Sequence, residues 1–240
     1  MELFTNQILA GIATGAIYAC MALAVVMIYQ AIDHLNFAQG EMAMFSTFVS
    51  WQLMQWGVPY WGAFVITLAF SFAGGILIER LLFKPLAKAP ILTNVAGFIA
   101  LYFFFQFTRI GLAMRAAASL PESARLVGIN TSWMIALGWG MAAAIGSIAG
   151  MLIAPVVFLE PNMMGGVLIY GFAAAVLGGL TSPFGAVVGG FLVGIFENLA
   201  GTYIPGVGNE LKLPIALALI ITVLVVKPAG LFGRPIVKRV

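Results

Sequence analysis

Hydrophobic residues in this chain run in long blocks, without the single apolar face of a surface helix or the alternation of a half-buried strand. Eight blocks can be drawn, at residues 7–29, 41–56, 60–78, 91–107, 133–153, 165–180, 184–203 and 211–226. A helix that is apolar all round must be kept from water on every face, and about 20 such residues cross the hydrocarbon core of a bilayer. The pattern predicts an all-α fold: a polytopic transmembrane helix bundle of seven or eight apolar segments. Continuous runs such as 215–226 argue against a membrane barrel, whose strands alternate apolar and polar positions. Two blocks, 41–56 and 165–180, are shorter than a comfortable span, as expected of discontinuous helices that line a cavity.

Composition closes off the soluble alternatives. The chain is 62% hydrophobic and only 8% charged, with a mean hydropathy of +1.09, whereas soluble domains carry about 25% charged residues. Residues 1–240 read as a single transmembrane domain with little outside the membrane. The net charge of +3 is spread over a few loops. It lacks the dense Lys/Arg face with interleaved aromatics that would indicate a nucleic-acid partner. Cys20 stands alone inside an apolar run, so no disulfide framework exists. The first block begins without a basic stretch before it and is as long as a full span, which predicts a retained helix, not a cleaved leader.

Orientation follows from the cations, which concentrate on the cytoplasmic side of membrane proteins. Arg80, Lys84 and Lys88 form one basic cluster. Arg109, Arg115 and Arg125 form a second, and Lys227, Arg234, Lys238 and Arg239 a third. All three are expected in the cytoplasm. Four blocks follow Arg125, which returns the C-terminus to the cytoplasm. Between Lys88 and Arg109 there is one block, 91–107, and a single crossing cannot leave both its ends inside. Either 91–107 is re-entrant or part of two spans is missing near 101–106.

Small residues four apart recur at Gly11/Gly15, Gly146/Gly150, Gly185/Gly189 and Gly190/Gly194, with Gly171, Ala175 and Gly179 on the same spacing. Such stripes let helix backbones approach closely, which is how membrane helices associate without a hydrophobic driving force. Polar residues at membrane depth are few and costly. Tyr29–Glu41 places Asp33, His34, Asn36, Gln39 and Glu41 between two blocks, and Glu197 and Asn198 lie well inside 184–203. Asn36, Gln39, Glu41, Glu197 and Asn198 are candidates for lining a translocation path. Glu197 sitting near the outer interface, or pairing with a neighbouring helix, is the competing reading. His34 has no companion ligands at zinc-site spacing, so no metal site is expected, and no cofactor. Glu79 and Arg80, at a span end, read as a structural or snorkelling pair.

The longest stretch that cannot sit in a bilayer is 107–133. Within it Ser119-Leu120-Pro121-Glu122 has the capping-box pattern, and Gly128 is a natural helix terminator, with Arg125 near the negative end of the dipole. The stretch predicts a short helix on the cytoplasmic surface, bound either to a protein partner or to anionic lipid headgroups. No G-x-x-x-x-G-K-[ST] phosphate loop occurs, nor G-x-S-x-G, H-E-x-x-H or C-x-x-C, so the chain is not expected to be an enzyme or to hydrolyse ATP itself.

Several stretches together carry a resemblance. They are G-I-A-T-G-A-I-Y-A-C-M-A-L-A with N-F-A-Q-G-E, E-R-L-L-F-K-P-L, F-T-R-I-G-L-A-M-R-A-A-A-S-L-P-E-S-A-R-L-V-G-I-N, and G-G-L-T-S-P-F-G-A-V-V-G-G with K-P-A-G-L-F-G-R-P. Almost end to end, the chain resembles the inner-membrane permease subunit of the high-affinity branched-chain amino acid ABC transporter. The resemblance implies a multi-pass protein of the bacterial inner membrane that moves hydrophobic amino acids. It also implies a second homologous permease subunit as heterodimer partner, two cytoplasmic ATPases and a periplasmic substrate-binding protein. The loop between spans would carry a coupling helix that docks on the ATPase, a role falling here on Arg109, Gly111, Arg115, Ala117, Glu122, Ala124, Arg125 and Gly128. This sequence departs from the family after 94–101, where Leu101-Tyr102-Phe103-Phe104-Phe105 leads directly into Gln106-Phe107-Thr108-Arg109, and family members insert the rest of a span, an external loop and the start of another span. Gln39 stands where the family often has His. Two alternatives remain: a permease for another small solute, such as a urea-like amide or a sugar, and an ion-coupled secondary transporter using Asp33, Glu41 or Glu197.

Overall fold

A computed structural model describes residues 2–32, 35–83, 131–204 and 211–233. Asp33, His34 and the whole candidate coupling stretch Arg109–Gly128 lie outside the described residues, as does block 91–107. The described residues form seven α-helices: α1 Glu2–Ile32, α2 Gln39–Gln55, α3 Tyr60–Ile78, α4 Thr131–Val157, α5 Met164–Gly178, α6 Pro183–Tyr203 and α7 Lys212–Val226. A π-helical turn, Glu79–Phe83, extends α3. Four helices are long and apolar enough to cross a membrane, and α5 and α7 are shorter apolar helices. The chain is a polytopic helical membrane protein.

Helix ends follow local chemistry. Ser182 accepts a 3.0 Å hydrogen bond from the Gly185 amide and Pro183 opens α6, where its missing N–H costs nothing. α2 runs out at Trp56, and Gly57 at φ +87° turns the chain toward Pro59 and α3. α4 continues past Pro155 to Val157, two residues beyond the proline. The ring removes one hydrogen bond, which a last turn can tolerate.

The chain forms two compact units, one of Met1–Val26 with Gly166–Val240 and the other of Met27–Gly165. In the second unit, α3 and α4 run antiparallel. A β-carbon at Gly75 would lie 2.6 Å from the Trp139 carbonyl oxygen, and one at Gly140 would lie 2.9 Å from that of Phe72. At the end of this pair the Arg80 guanidinium sits 3.9 Å from the Trp133 ring centroid. The last turn of α3 and the first turn of α4 are therefore on the same side. α2 lies parallel to α4, with Gly146 beneath the Gln39 side chain and Gly150 against Thr47 and Ala43. Ser46 and Ser71 join α2 to α3 through a 2.7 Å hydrogen bond between hydroxyls.

In the first unit, α1 and α6 are antiparallel. A β-carbon at Gly11 would come 2.6 Å from Ile195 Cα, and one at Gly15 would come 2.9 Å from Phe191 Cα. Gly190 and Gly194 face Ala19 and Gly15 in return. α5 packs against α6 through Gly178 and Gly185, and α1 meets α5 where Met21 covers Gly171. The aliphatic stem of Lys212 at the start of α7 lies over Gly201 near the end of α6.

Two of the motifs singled out in the sequence form one piece of structure here. The carbonyls of Leu177 and Gly178, left without helical partners at the end of α5, accept from the amides of Leu231 (2.8 Å) and Phe232 (2.9 Å). Gly179 leaves α5 at φ +109°, and a β-carbon there would meet the backbone of Gly233. Phe232 closes edge-on against Phe184, with ring centroids 5.5 Å apart. The segment K-P-A-G-L-F-G is thus the C-terminal cap of α5, supplying donors that hydrocarbon cannot.

Candidate functional site

The polar residues at membrane depth separate into two groups. In N-F-A-Q-G-E, Asn36 and Gln39 are fully buried. The Asn36 carboxamide oxygen accepts from the Ala38 amide at 3.0 Å, a local turn that starts α2. Gln39 Nε2 donates to the Ala142 carbonyl at 2.8 Å, pinning α2 to α4. Its amide oxygen is buried with no hydrogen-bond partner among the described residues. Gln39 thus ties two helices together in this conformation, whereas Asn36 braces the turn into its own helix. Glu41, also a path candidate, is only partly buried in the first turn of α2.

The second group gathers residues far apart in the chain. Glu197 lies fourteen residues after Pro183 and six before Tyr203, so it sits ~21 Å and ~9 Å along the axis from the two ends of α6. Among the described residues it is the one charged side chain more than a turn inside either end of a long apolar helix. The Tyr18 hydroxyl of α1 donates to Glu197 Oε2 at 2.8 Å across 179 residues of sequence. Tyr170 of α5 stacks on Tyr18 with ring centroids 4.7 Å apart and planes 14° from parallel, and its hydroxyl also interacts with the Glu197 carboxylate. One residue on, Asn198 Nδ2 donates to Thr14 Oγ1 and to the Gly194 carbonyl, each at 2.9 Å. Tyr18 is buried, whereas Glu197, Asn198, Tyr170 and Thr14 each keep part of their surface open.

Local sequence explains why the group assembles. Thr14 and Tyr18 are four apart and share a helix face, one residue round from the Gly11/Gly15 stripe. The glycine contact draws α1 and α6 together closely enough for a phenol and a hydroxyl to reach Glu197 and Asn198. Sequence reasoning found Glu197 and Asn198 but missed Thr14, Tyr18 and Tyr170. The available signal was a tyrosine and a threonine at helical spacing in an otherwise apolar run. At the end of α3 Glu79 is buried, and Arg80 is exposed with its guanidinium over Trp133. Among the described residues no group of three or more His, Cys, Asp or Glu side chains could hold a metal ion.

Apolar helices in close glycine contact, with polar side chains meeting at membrane depth, define a polytopic membrane protein, a class that holds transporters, receptors and membrane enzymes alike. The family is fixed by comparison. Residues 7–102 and 91–224 match the model of the branched-chain amino acid transport system permease component, and the chain belongs to that family. It is 30% identical to the high-affinity branched-chain amino acid transport system permease protein LivH of Escherichia coli K12 over 306 aligned positions, covering 99% of this chain and 98% of the relative. It is 27% identical over 304 positions to BraD of Pseudomonas aeruginosa, a permease protein of the same kind of system, again covering 99% and 98%. The nucleoside ABC transporter permease protein NupC of Lactococcus lactis is 29% identical over 138 positions, 55% of this chain and 42% of that one. No solved structure matches. The 306 positions aligned with LivH exceed the 240 residues of this chain by 66, so at least that many positions hold no residue here.

Proposed function

We propose that this chain is the membrane-crossing permease subunit of an ABC importer for branched-chain amino acids in the bacterial inner membrane. The observation that carries the reading is near-complete mutual coverage with LivH and BraD. Permeases named for nucleosides and for xylose/arabinose match only 55% and 58% of the chain. Membership in the family implies other ABC transport components as partners. The finer proposal is a heterodimer with a second permease, two cytoplasmic ATPases and a periplasmic binding protein, with ATP hydrolysed by the partners. Arg109–Gly128 is the proposed coupling helix, on the strength of the family resemblance, with which its capping pattern agrees.

The helix pairings support an orientation. In the second unit Arg80 and Trp133 mark one side, and the positive-inside rule makes that side cytoplasmic. In the first unit Lys227 at the end of α7 sits with the capped end of α5, and α1 starts at the opposite end of its antiparallel contact with α6. Each unit taken by itself then gives the same chain path: N-terminus outside, α3 ending and α4 beginning inside, C-terminus inside. An even number of crossings is required between α3 and α4, which supports the view that a two-span hairpin of the family is shortened to a remnant near 101–106. The family match also divides into two stretches that meet at 91–102.

The test is uptake in proteoliposomes containing this chain, its sister permease, the ATPases and a leucine-loaded binding protein. Leucine accumulation that requires ATP and every subunit is expected. Accumulation with the ATPases omitted would sink the reading in favour of an ion-coupled carrier.

A further inference from the structure

We propose that Glu197, with Tyr18 and Tyr170, forms an intramembrane site for a primary ammonium group, through which the permease holds the amino end of its solute during passage. The inference rests on the amino-acid permease reading and says which end of the solute the membrane domain recognises.

A carboxylate inside an apolar helix is costly to insert, and other contacts already join these helices. The glycine faces of α1 and α6 already bring the backbones together, and Asn198 with Thr14 supplies a neutral interhelical hydrogen bond beside it. A carboxylate has about four acceptor positions on two oxygens. Tyr18 donates to Oε2 and the Tyr170 hydroxyl also engages the carboxylate, yet the Glu197 side chain remains partly open. Remaining acceptor capacity at an open carboxylate suits a donor that arrives from outside the protein. The stacked Tyr18 and Tyr170 rings cover one face of each other, and Tyr18 is buried. The outer face of the part-exposed Tyr170 is the one left to attract an ammonium group within about 6 Å. No described Lys or Arg lies in the interior of α1, α5 or α6; Lys212 of α7 lies with its stem over Gly201, one turn beyond Glu197 on α6. Charge, open acceptors and an aromatic face therefore select a small organic cation or the cationic end of a zwitterion. A sugar offers nothing to this charge, and a carboxylate without an amine is repelled by it. Three helices contribute to the site, so a shift among them would alter the grip on a bound ammonium.

The experiment compares wild type, E197Q, E197D and Y170F in the complete transporter in nanodiscs and proteoliposomes. Leucine uptake is expected to fall at least tenfold in E197Q. E197Q should still assemble with the ATPases, read by co-purification, and E197D should recover most uptake. The probe for direct binding is isopentylamine, which keeps the branched chain and ammonium but has no carboxylate, with isopentanol as its neutral counterpart. The amine should raise the melting temperature of the wild-type and E197D complexes, leave E197Q unchanged, and give a reduced shift with Y170F. The alcohol should have no effect on any of them. Wild-type uptake matched by E197Q, or an amine shift that persists in E197Q, overturns the proposal while leaving the permease reading standing. If assembly falls in E197Q and does not return in E197D, Glu197 is structural and the proposal also fails. Absence of leucine uptake by the wild-type complex sinks the permease reading itself.

Discussion

Gly74 and Gly75 are neighbours in α3, and the same substitution at each separates helix propensity from packing. Alanine in place of a helical glycine gains about 0.8–1.0 kcal/mol from backbone propensity. At Gly74 a β-carbon would find nothing within 4 Å, so that gain should be realised in full. At Gly75 it would lie 2.6 Å from the Trp139 carbonyl oxygen and 2.9 Å from the Ala143 β-carbon. The first of these is backbone in a packed helix, so no rotamer change can relieve it. Either α3 and α4 move apart along their contact or the angles strain, and overpacking of this kind costs about 1–3 kcal/mol. G74A should therefore be as stable as wild type or up to about 1 kcal/mol more stable. G75A should lie about 1–3 kcal/mol below G74A. Unfolding of the purified protein in mixed detergent micelles, followed by tryptophan fluorescence, measures both against wild type. If the two variants shift together in either direction, the reasoning that α3 and α4 are welded at Gly75 is wrong.

The remaining expectations follow from other contacts. The Ser46–Ser71 hydroxyl pair, at 2.7 Å, should show a coupling near the ~0.6 kcal/mol average for hydrogen bonds between membrane helices in an S46A/S71A double-mutant cycle; zero coupling would mean that each hydroxyl is satisfied within its own helix. In a Cys20→Ser background, cysteines at residues 2 and 227 should label from the outside and the inside respectively, and cysteines at 88 and 109 should both label from the inside. Opposite labelling of 88 and 109 would argue for one ordinary crossing between them. R115A or E122A should abolish co-purification of the ATPase while membrane insertion, read by fractionation, is unchanged.

Helix positions were legible because chain length per span is set by the bilayer, and block boundaries fell within a few residues of the helices: 60–78 coincides with α3, and 184–203 starts one residue after α6 does. Block 133–153 is shorter than α4, which starts two residues earlier and runs past Pro155 to Val157. Helix partners were much less legible. Helices that are apolar on every face carry no stripe that says which side meets which neighbour. Only the small-residue spacings gave that information, and they indicated faces without naming mates. The polar positions at Asn36, Gln39 and Glu197 were visible as exceptions, but whether such a side chain faces a path or another helix depends on residues a hundred or more positions away. Gln39 finds Ala142, and Glu197 finds Tyr18. No local pattern encodes either meeting.

The pairing of the first helix with the last part of the chain sets a condition on synthesis. Tyr18 and Glu197 are separated by 179 residues, which at 5–20 residues per second takes a ribosome roughly 10–35 s to produce. Throughout that interval α1 is in the membrane with its glycine stripe unmatched by α6 and its phenol without the Glu197 carboxylate. α6 in turn must deliver a carboxylate into the bilayer at the moment its acceptor helix is available. The stripe at Gly11 and Gly15, which permits close packing in the finished protein, therefore also needs a temporary neighbour during insertion. Lipid or the insertion machinery must cover it until the chain is nearly complete.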